Sequence, residues 1–198
     1  FFTRLPSTFG VAYKVFTELK RRLPDFAPKS LFDVGAGPGT CLWASCEVWP
    51  DSLKTACLLE KDQAFMTLGK KLAKGSQDLF IKSALWHQAD ALDPFAEGSY
   101  DLVTLSYSIG EMPESHYPLI LERLWSLCKQ ALVIIEPGTP KGYKRILAFR
   151  EILLDLGASI AAPCPHAGSC PLQRKDWCHF MARIQRSALQ RKLKSAEL

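Results

Sequence analysis

The stretch Asp33-Val34-Gly35-Ala36-Gly37-Pro38-Gly39-Thr40 decides the fold of this 198-residue chain. It follows a short apolar run at residues 31–34 and precedes a run with helical periodicity at residues 40–48. Glycines at 35 and 37 permit a tight turn and let the backbone approach a ligand closely. The first turn of the following helix offers unpaired N–H groups to a polar or anionic group. The stretch therefore predicts a strand, a ligand-binding loop and a helix.

Outward from this loop, apolar strand patterns alternate with amphipathic helix patterns. This alternation predicts an α/β fold with a doubly wound, mostly parallel sheet covered by helices on both faces. We expect seven strands, the last two of which form a terminal hairpin. The predicted strands lie near 31–34, 56–59, 84–89, 100–106, 132–135, 158–162 and 178–184. The predicted helices lie near 10–22, 40–48, 62–74, 115–128 and 142–156.

Three classes of ligand use such glycine loops, and the residues around Gly39 separate them. No lysine follows Gly39, as a phosphate-binding Walker loop would need, and position 40 is Thr where a dinucleotide loop has its third glycine. The remaining pattern, D-x-G-x-G-x-G, resembles the first motif of class I S-adenosylmethionine methyltransferases. Further polar residues follow the second, third and fourth strands. The predicted cofactor-binding residues are Asp33, Gly35, Gly37, Gly39, Glu60, Asp90 and Ser106.

The loop after the fourth strand carries no familiar catalytic signature. It reads Ser106-Tyr107-Ser108-Ile109-Gly110-Glu111, whereas methyltransferases of base amino groups often carry Asn/Asp-Pro-Pro-Tyr there. No cysteine lies near that strand to act as the nucleophile of cytosine C5 methylation. We therefore assign no catalytic residue.

Three of the seven cysteines crowd into a segment rich in proline and glycine. Cys164, Cys170 and Cys178 are spaced C-x5-C-x7-C, and prolines follow the first two. Three thiolates with one more ligand could hold a [4Fe–4S] cluster, and with His166 or His179 they could hold tetrahedral zinc. The other cysteines, Cys41, Cys46, Cys57 and Cys128, lie in apolar runs and are predicted to be core residues.

The charge of the chain is concentrated at its end. The net charge is +5, and residues 174–198 hold seven basic residues and two acidic ones. A cationic segment on a neutral body favours a polyanionic partner, most often RNA, although a solvated helix face has the same composition. The sequence contains no run of about eighteen apolar residues, so it predicts no membrane span. The start lacks a Met, so we expect a piece of a longer protein.

Four regions are predicted along the chain. They are an N-terminal helical segment (1–27), an S-adenosylmethionine-binding domain (28–162), a cysteine-rich metal-binding insertion (163–180), and a last strand with a basic helix (181–198).

Several stretches together, DVGAGPGT, DLVTLSYSIGEMP, LVIIEPGTPKGY, APCPHAGSCPL and WCHF, are similar to one family. It comprises methyltransferase-like proteins of mitochondrial and bacterial small-ribosomal-subunit assembly. The resemblance implies a class I fold, a [4Fe–4S] cluster and association with small-subunit rRNA. It matches Cys164, Cys170 and Cys178 to three cluster ligands, with the fourth ligand beyond Leu198. We also expect a monomer, located in the cytoplasm if the protein is bacterial and in the mitochondrial matrix if it is eukaryotic.

Three functions are therefore open from the sequence. The first is an S-adenosylmethionine-binding, iron–sulfur-containing assembly factor that contacts rRNA through the basic C-terminal segment. The second is an active rRNA methyltransferase. The third is a zinc-stabilised RNA-binding module with a vestigial cofactor pocket.

Overall fold

A computed structural model describes residues 4–93, 98–172, 176–184, 188 and 191–192 of the chain. Over these ranges the protein forms five strands and six α-helices. The strands are β1 (Ser30–Val34), β2 (Thr55–Glu60), β3 (Leu85–Gln88), β4 (Tyr100–Ser106) and β5 (Cys128–Ile135). The helices are α1 (Leu5–Arg22), α2 (Thr40–Val48), α3 (Gln63–Lys74), α4 (Leu79–Lys82), α5 (Tyr117–Leu127) and α6 (Pro140–Asp155).

The strands form one parallel sheet in the order β3-β2-β1-β4-β5. Strand β1 lies in the middle, where Phe32 pairs with Cys57 of β2 on one side and with Val103 of β4 on the other. The order of the strands reverses at this point, and open α/β sheets bind ligands in the crevice at such a reversal. The predicted doubly wound parallel sheet is confirmed, and the glycine loop lies at its switch point.

Each face of the sheet has its own apolar core. Leu31 of β1 points to the face covered by α1 and α2, where it packs in a cluster with Phe16 and Leu42. The next residue, Phe32, points to the opposite face and packs in a cluster with Ile120 of α5 and Phe149 of α6. Because successive side chains in a strand alternate between faces, a strand buried on both sides is apolar throughout.

Helix α1 is longer than its periodicity predicts, because it starts at Leu5 rather than near residue 10. Pro6 lies in its first turn, where the missing N–H costs no hydrogen bond. The added turns bring the start of α1 to the carboxyl edge of the sheet.

The prediction of a terminal hairpin is wrong: the described residues do not form its two strands, and the sheet over these residues has five strands and not seven. Residues 158–162 and 176–184 have no regular secondary structure. The first segment consists mainly of Ala and Ser, which bury little apolar surface, and it ends at Pro163, which has no N–H for a ladder. In the second, Phe180 and Met181 are 74% and 89% exposed and do not pack on the sheet.

The cysteine-rich region and the basic end are described in part. Residues 163–172 and 176–180 are irregular in structure, while residues 173–175 fall outside the described ranges. Within the predicted basic helix, Ala188, Arg191 and Lys192 are helical. The predicted basic residues Arg174, Lys175, Arg186 and Lys194 lie outside the described residues.

Among the helices of the described ranges, none is both long enough and apolar enough to cross a bilayer.

Candidate functional site

A cleft of about 660 Å³ opens at the carboxyl edge of the sheet. Its size is that of a small-molecule site, and it lies where the strand order reverses. Six of the seven predicted cofactor residues line it: Asp33, Gly35, Gly37, Glu60, Asp90 and Ser106. The structure therefore brings together residues that lie up to seventy-three positions apart in the sequence.

Glu60 joins the glycine loop to the end of β2. The N–H of Gly37 donates a hydrogen bond to Oε2 of Glu60 at 2.7 Å, and the N–H of Asp62 donates to Oε1 at 2.8 Å. Gly37 has φ of +55°, a conformation that favours glycine, and a Cβ built on it would meet no atom within 4 Å. The space beside Gly37 is therefore open cleft.

Asp33 lies beneath the loop and is fully buried. Its Oδ1 accepts a hydrogen bond from Thr104 Oγ1 at 2.6 Å, whereas its Oδ2 has no hydrogen-bond partner in the described part of the chain. Burial raises the pKa of Asp33 to about 7, because the hydrogen bond from Thr104 and the nearby Cys41 thiol offset only part of the desolvation, and the charge of Glu60 adds to it. Asp33 thus presents an unused acceptor at the floor of the cleft.

Cys41 lies beside this carboxyl group, with its Sγ 3.2 Å from Ser106 Oγ. Burial raises the pKa of the Cys41 thiol well above its ordinary value, and the charge of Asp33 raises it further. A thiol with a raised pKa remains protonated and is a poor nucleophile. Cys41 is therefore a packing residue, as its apolar surroundings predict.

Gly39 is the predicted cofactor residue that does not line the cleft. It has φ of +87°, and a Cβ built on it would lie 3.0 Å from Cη2 of Trp86 on β3. The absence of a side chain lets Trp86 pack against the start of α2. Gly39 thus serves helix–strand packing.

The loop after β4 closes on the glycine loop. A Cβ at Gly35 would lie 2.3 Å from Cβ of Ser108, so only glycine allows this contact. Tyr107, between β4 and Ser108, has φ of +57°, and its N–H donates to the carbonyl of Ile135 at 2.9 Å. Strained backbone in a non-glycine residue is typical of functional sites.

Sequence reasoning missed the part of the cleft that α1 supplies. Arg4, Leu5, Ser7 and Thr8 line the cleft, because the helix starts earlier than its apolar spacing indicates. Pro6 was the signal that could have placed the helix start correctly.

A buried ion pair that the sequence did not reveal holds two cleft loops together. Arg145 of α6 contacts Oε2 of Glu136, directly after β5, at 2.6 Å, and the two side chains are 11% and 2% exposed. The Arg145 guanidinium also lies against Gly110, where a Cβ would come 2.6 Å from Nη1. Arg145 thereby joins the loop after β4 to the loop after β5.

The cysteine segment is fastened to α6. Arg150 donates hydrogen bonds to the carbonyls of His166 and Gly168, the latter at 2.9 Å. Tyr143 Oη lies 3.1 Å from Cys170 Sγ. This contact lowers the pKa of the Cys170 thiol, and the Leu172 N–H and the charge of Arg150 lower it further.

The three predicted metal-binding cysteines interact electrostatically, although they do not form a closed metal site. Burial raises the pKa of Cys178, and so do the neighbouring thiols of Cys164 and Cys170. Within the ranges that the structure describes, no group of three His, Cys, Asp or Glu side chains is arranged to hold a metal ion. The donor set thus has the chemistry of a thiolate metal site, but its described arrangement is open.

Solved structures of methyltransferases share this fold. Magnesium protoporphyrin IX methyltransferase (ChlM) of Synechocystis PCC 6803, solved with bound S-adenosylmethionine, has a TM-score of 0.62 and 17% identity, covering 79% of this chain and 72% of its own. The plantazolicin methyltransferase BpumL, solved in complex with S-adenosylhomocysteine, has a TM-score of 0.53 and 15% identity, covering 74% and 52%. At such identities the likeness establishes the class I methyltransferase fold.

Curated relatives are mitochondrial proteins. The human "Ribosome assembly protein METTL17, mitochondrial" is 28% identical over 190 residues, which are 89% of this chain and 41% of the relative. The "Rsm22-cox11 tandem protein 2, mitochondrial" of Schizosaccharomyces pombe is 29% identical over 201 residues, covering 89% and 26%. The chain thus spans less than half the length of these relatives. The family described as "Mitochondrial small ribosomal subunit Rsm22" matches residues 1–198, and the chain belongs to this family.

Proposed function

We propose that the protein is an S-adenosylmethionine-binding, methyltransferase-like factor that acts on small-subunit rRNA during ribosome assembly. The single observation that carries the proposal is the cleft at the switch point, where Glu60 is already hydrogen-bonded to the glycine loop. The family match and the name of the human relative supply the ribosomal context. In a eukaryotic cell we expect the protein in the mitochondrial matrix, since the named relatives are mitochondrial.

The residues of the cleft fit S-adenosylmethionine. Each carboxylate oxygen has more than one lone-pair site, so Glu60 can accept ribose hydroxyls while keeping its two backbone N–H donors. Asp33 Oδ2, buried and unpartnered among the described residues, suits the ammonium of the methionine moiety. Asp90 and Ala91 line the same cleft beyond Glu60, where we assign the adenine. The two solved neighbours hold S-adenosylmethionine or its product.

The bound cofactor would supply an electrophilic methyl group, and the residues of this chain would orient it. Ser106 and Tyr107 lie at the end of β4 and line the cleft next to the glycine loop. The strained backbone of Tyr107 favours a second candidate function, an active rRNA methyltransferase. We still assign no general base.

The cysteine segment is proposed to hold a metal. Cys164, Cys170 and Cys178 would supply three thiolates to a [4Fe–4S] cluster, with zinc as the alternative occupant. The support is the donor chemistry of the three thiols and the electrostatic influence of Cys164 and Cys170 on Cys178. A metal there would draw the thiolates together and offset their repulsion.

Incubation with small-subunit rRNA and S-adenosylmethionine labelled on its methyl group tests the proposal. RNA retained by the protein without transferred label supports an assembly factor, whereas label in the RNA supports the enzyme. Failure to retain small-subunit RNA contradicts both.

A further inference from the structure

We propose that residues 177–184, called the strap below, form a docking surface for an unpaired RNA segment at the mouth of the cleft, with Phe180 as a base-stacking side chain. The surface rests on the proposed function, since RNA is the partner there, and it adds the mode and place of binding. It differs from the predicted basic tail, because its central feature is an exposed aromatic ring.

The strap begins at one rim of the cleft. Trp177 Nε1 donates a hydrogen bond to the carbonyl of Gly138 at 3.2 Å. A Cβ built on Gly138 would lie 3.1 Å from Cβ of His179, so the absence of a side chain lets the strap lie close. Pro137, the preceding residue, lines the cleft. This end of the strap is therefore fixed beside the loop after β5.

The strap ends against α1, another element that lines the cleft. A Cβ built on Gly10 would lie 2.5 Å from Cδ1 of Ile184, so Ile184 occupies the space that a side chain at Gly10 would need. The same helix lines the cleft with residues that include Ser7, Thr8 and Val11. The two anchors thus connect the loop after β5 with α1, and both of these elements line the cleft.

Between its anchors the strap exposes apolar side chains. Phe180 is 74% and Met181 89% exposed, and Trp177 is 38% exposed with its ring 5.7 Å from that of His179. Exposed aromatic rings next to a cationic surface are the means by which proteins hold unpaired bases, because every base offers a face for stacking.

Charge around the strap favours RNA over a protein partner. Arg183 of the strap is exposed, and Lys141 and Lys144 are exposed on the first turns of α6, soon after Gly138. Arg4 lines the cleft at the start of α1. Asp176, just before the strap, is the acidic residue nearest to it in sequence. Two exposed apolar side chains on a segment that also carries the exposed Arg183 fit a base and its phosphates better than they fit a protein interface, which needs a broad apolar patch.

The test measures binding of labelled single-stranded RNA from the small subunit, and of a duplex of the same composition, to purified protein. Phe180→Ala should weaken single-strand binding about 5- to 150-fold, the loss expected for one stacked base. Duplex binding should change less than twofold. Phe180→Trp should retain binding. Leu79→Ala, which removes another exposed apolar side chain (78% exposed) from α4, is the matched control and should bind as the unaltered protein does.

Each outcome decides the proposal. Equal single-strand affinity of Phe180→Ala and the unaltered protein would overturn the stacking surface while leaving the proposed function intact. If Phe180→Ala lost binding to assembled subunits but kept its binding to naked RNA, the strap would be assigned to a protein partner. This result would also overturn the stacking surface. Failure of the unaltered protein to bind any small-subunit RNA would overturn the proposed RNA partner itself.

Discussion

The backbone N–H of Gly37, in the loop after β1, donates a hydrogen bond at 2.7 Å to Oε2 of Glu60, the last residue of β2. This bond ties the turn after β1 to the end of β2. The residue that we propose for the ribose is therefore held in place before any ligand arrives. Pre-organisation of this kind lowers the ordering cost of binding.

Gly37→Val should weaken S-adenosylmethionine binding by about 5- to 150-fold. The new side chain would enter the open space beside the loop, and overfilling a site costs about 1–3 kcal/mol. Calorimetric titration measures the change. Gly157→Val is the matched control, since Gly157 also has a positive φ (+88°) and free space for a Cβ, but does not line the cleft. It should lower stability through backbone strain while leaving affinity unchanged. Equal affinities of the two variants for S-adenosylmethionine would contradict the assignment of Gly37 to the cofactor site.

Asp33 should give the free energy of unfolding a marked pH dependence. Its folded pKa, about 7, lies above the ordinary 3.8, so the folded state holds the proton more tightly than the unfolded state. This stabilising contribution is complete below about pH 4 and is lost as the pH rises to about 7. Its size is on the order of 4 kcal/mol at most, at about 1.4 kcal/mol per pKa unit. Urea unfolding between pH 4 and 8 should show this decline, and Asp33→Asn should lack it.

Asp101 provides a control of opposite sign. Burial alone would raise the pKa of Asp101, but hydrogen bonds from the Lys29 N–H at 2.8 Å and from Gln130 at 3.2 Å lower it overall. Its contribution to stability is thus present above the ordinary pKa and is lost in acid. Asp101→Asn should flatten the acid limb and keep the decline up to pH 7. A pH profile unaltered by Asp33→Asn would contradict the buried, unpartnered carboxyl.

The buried pair Arg145 and Glu136 should contribute far more to the free energy of unfolding than an exposed pair does. Arg145→Met leaves the Glu136 carboxylate buried without its cation, which costs about 3–5 kcal/mol. Arg21→Met, at an exposed pair with Glu18, should cost far less, because solvent screens the attraction between the two charges. Midpoints of urea unfolding give both values. Similar losses for the two variants would mean that Arg145 does not fasten the cleft loops.

The strand ends and the glycine loop could be predicted from the sequence, because their signals are local. A buried parallel strand is a continuous apolar run, and a loop that needs positive φ at Gly35 and Gly37 calls for glycine. Asp33, Glu60, Asp90 and Ser106 then follow from strand register alone, since parallel strands end at one edge.

What the sequence did not reveal depends on contacts between distant segments. Gly39 packs closely against Trp86, forty-seven residues further along the chain, and no local pattern indicates this contact. The segment at 177–184 has the residue types of a strand, yet it lies across α1 and Gly138 instead of pairing. No local pattern distinguishes an edge strand from an extended segment held by two glycines.

Replacement of any one proposed metal ligand should remove the metal. Cys164→Ser, Cys170→Ser and Cys178→Ser should each lose metal and stability, because metal-binding energy is also folding energy. Elemental analysis and absorbance of anaerobically purified protein measure the metal content. A brown colour indicates an iron–sulfur cluster, whereas a colourless protein that contains zinc indicates the alternative occupant. Cys41→Ser, at a buried thiol in the cleft floor, should keep its metal. Unchanged metal content in all three variants would exclude the proposed ligands.

Titration of the unaltered protein with a panel of nucleotides tests the central proposal most directly. S-adenosylmethionine and S-adenosylhomocysteine should each bind at one site per chain, because the cleft offers Glu60 to a ribose and Asp33 Oδ2 to an ammonium. NAD and ATP should bind at least about tenfold more weakly, since position 40 is Thr and no lysine follows Gly39. Preferential binding of NAD or ATP, or no binding of S-adenosylmethionine, would contradict the account.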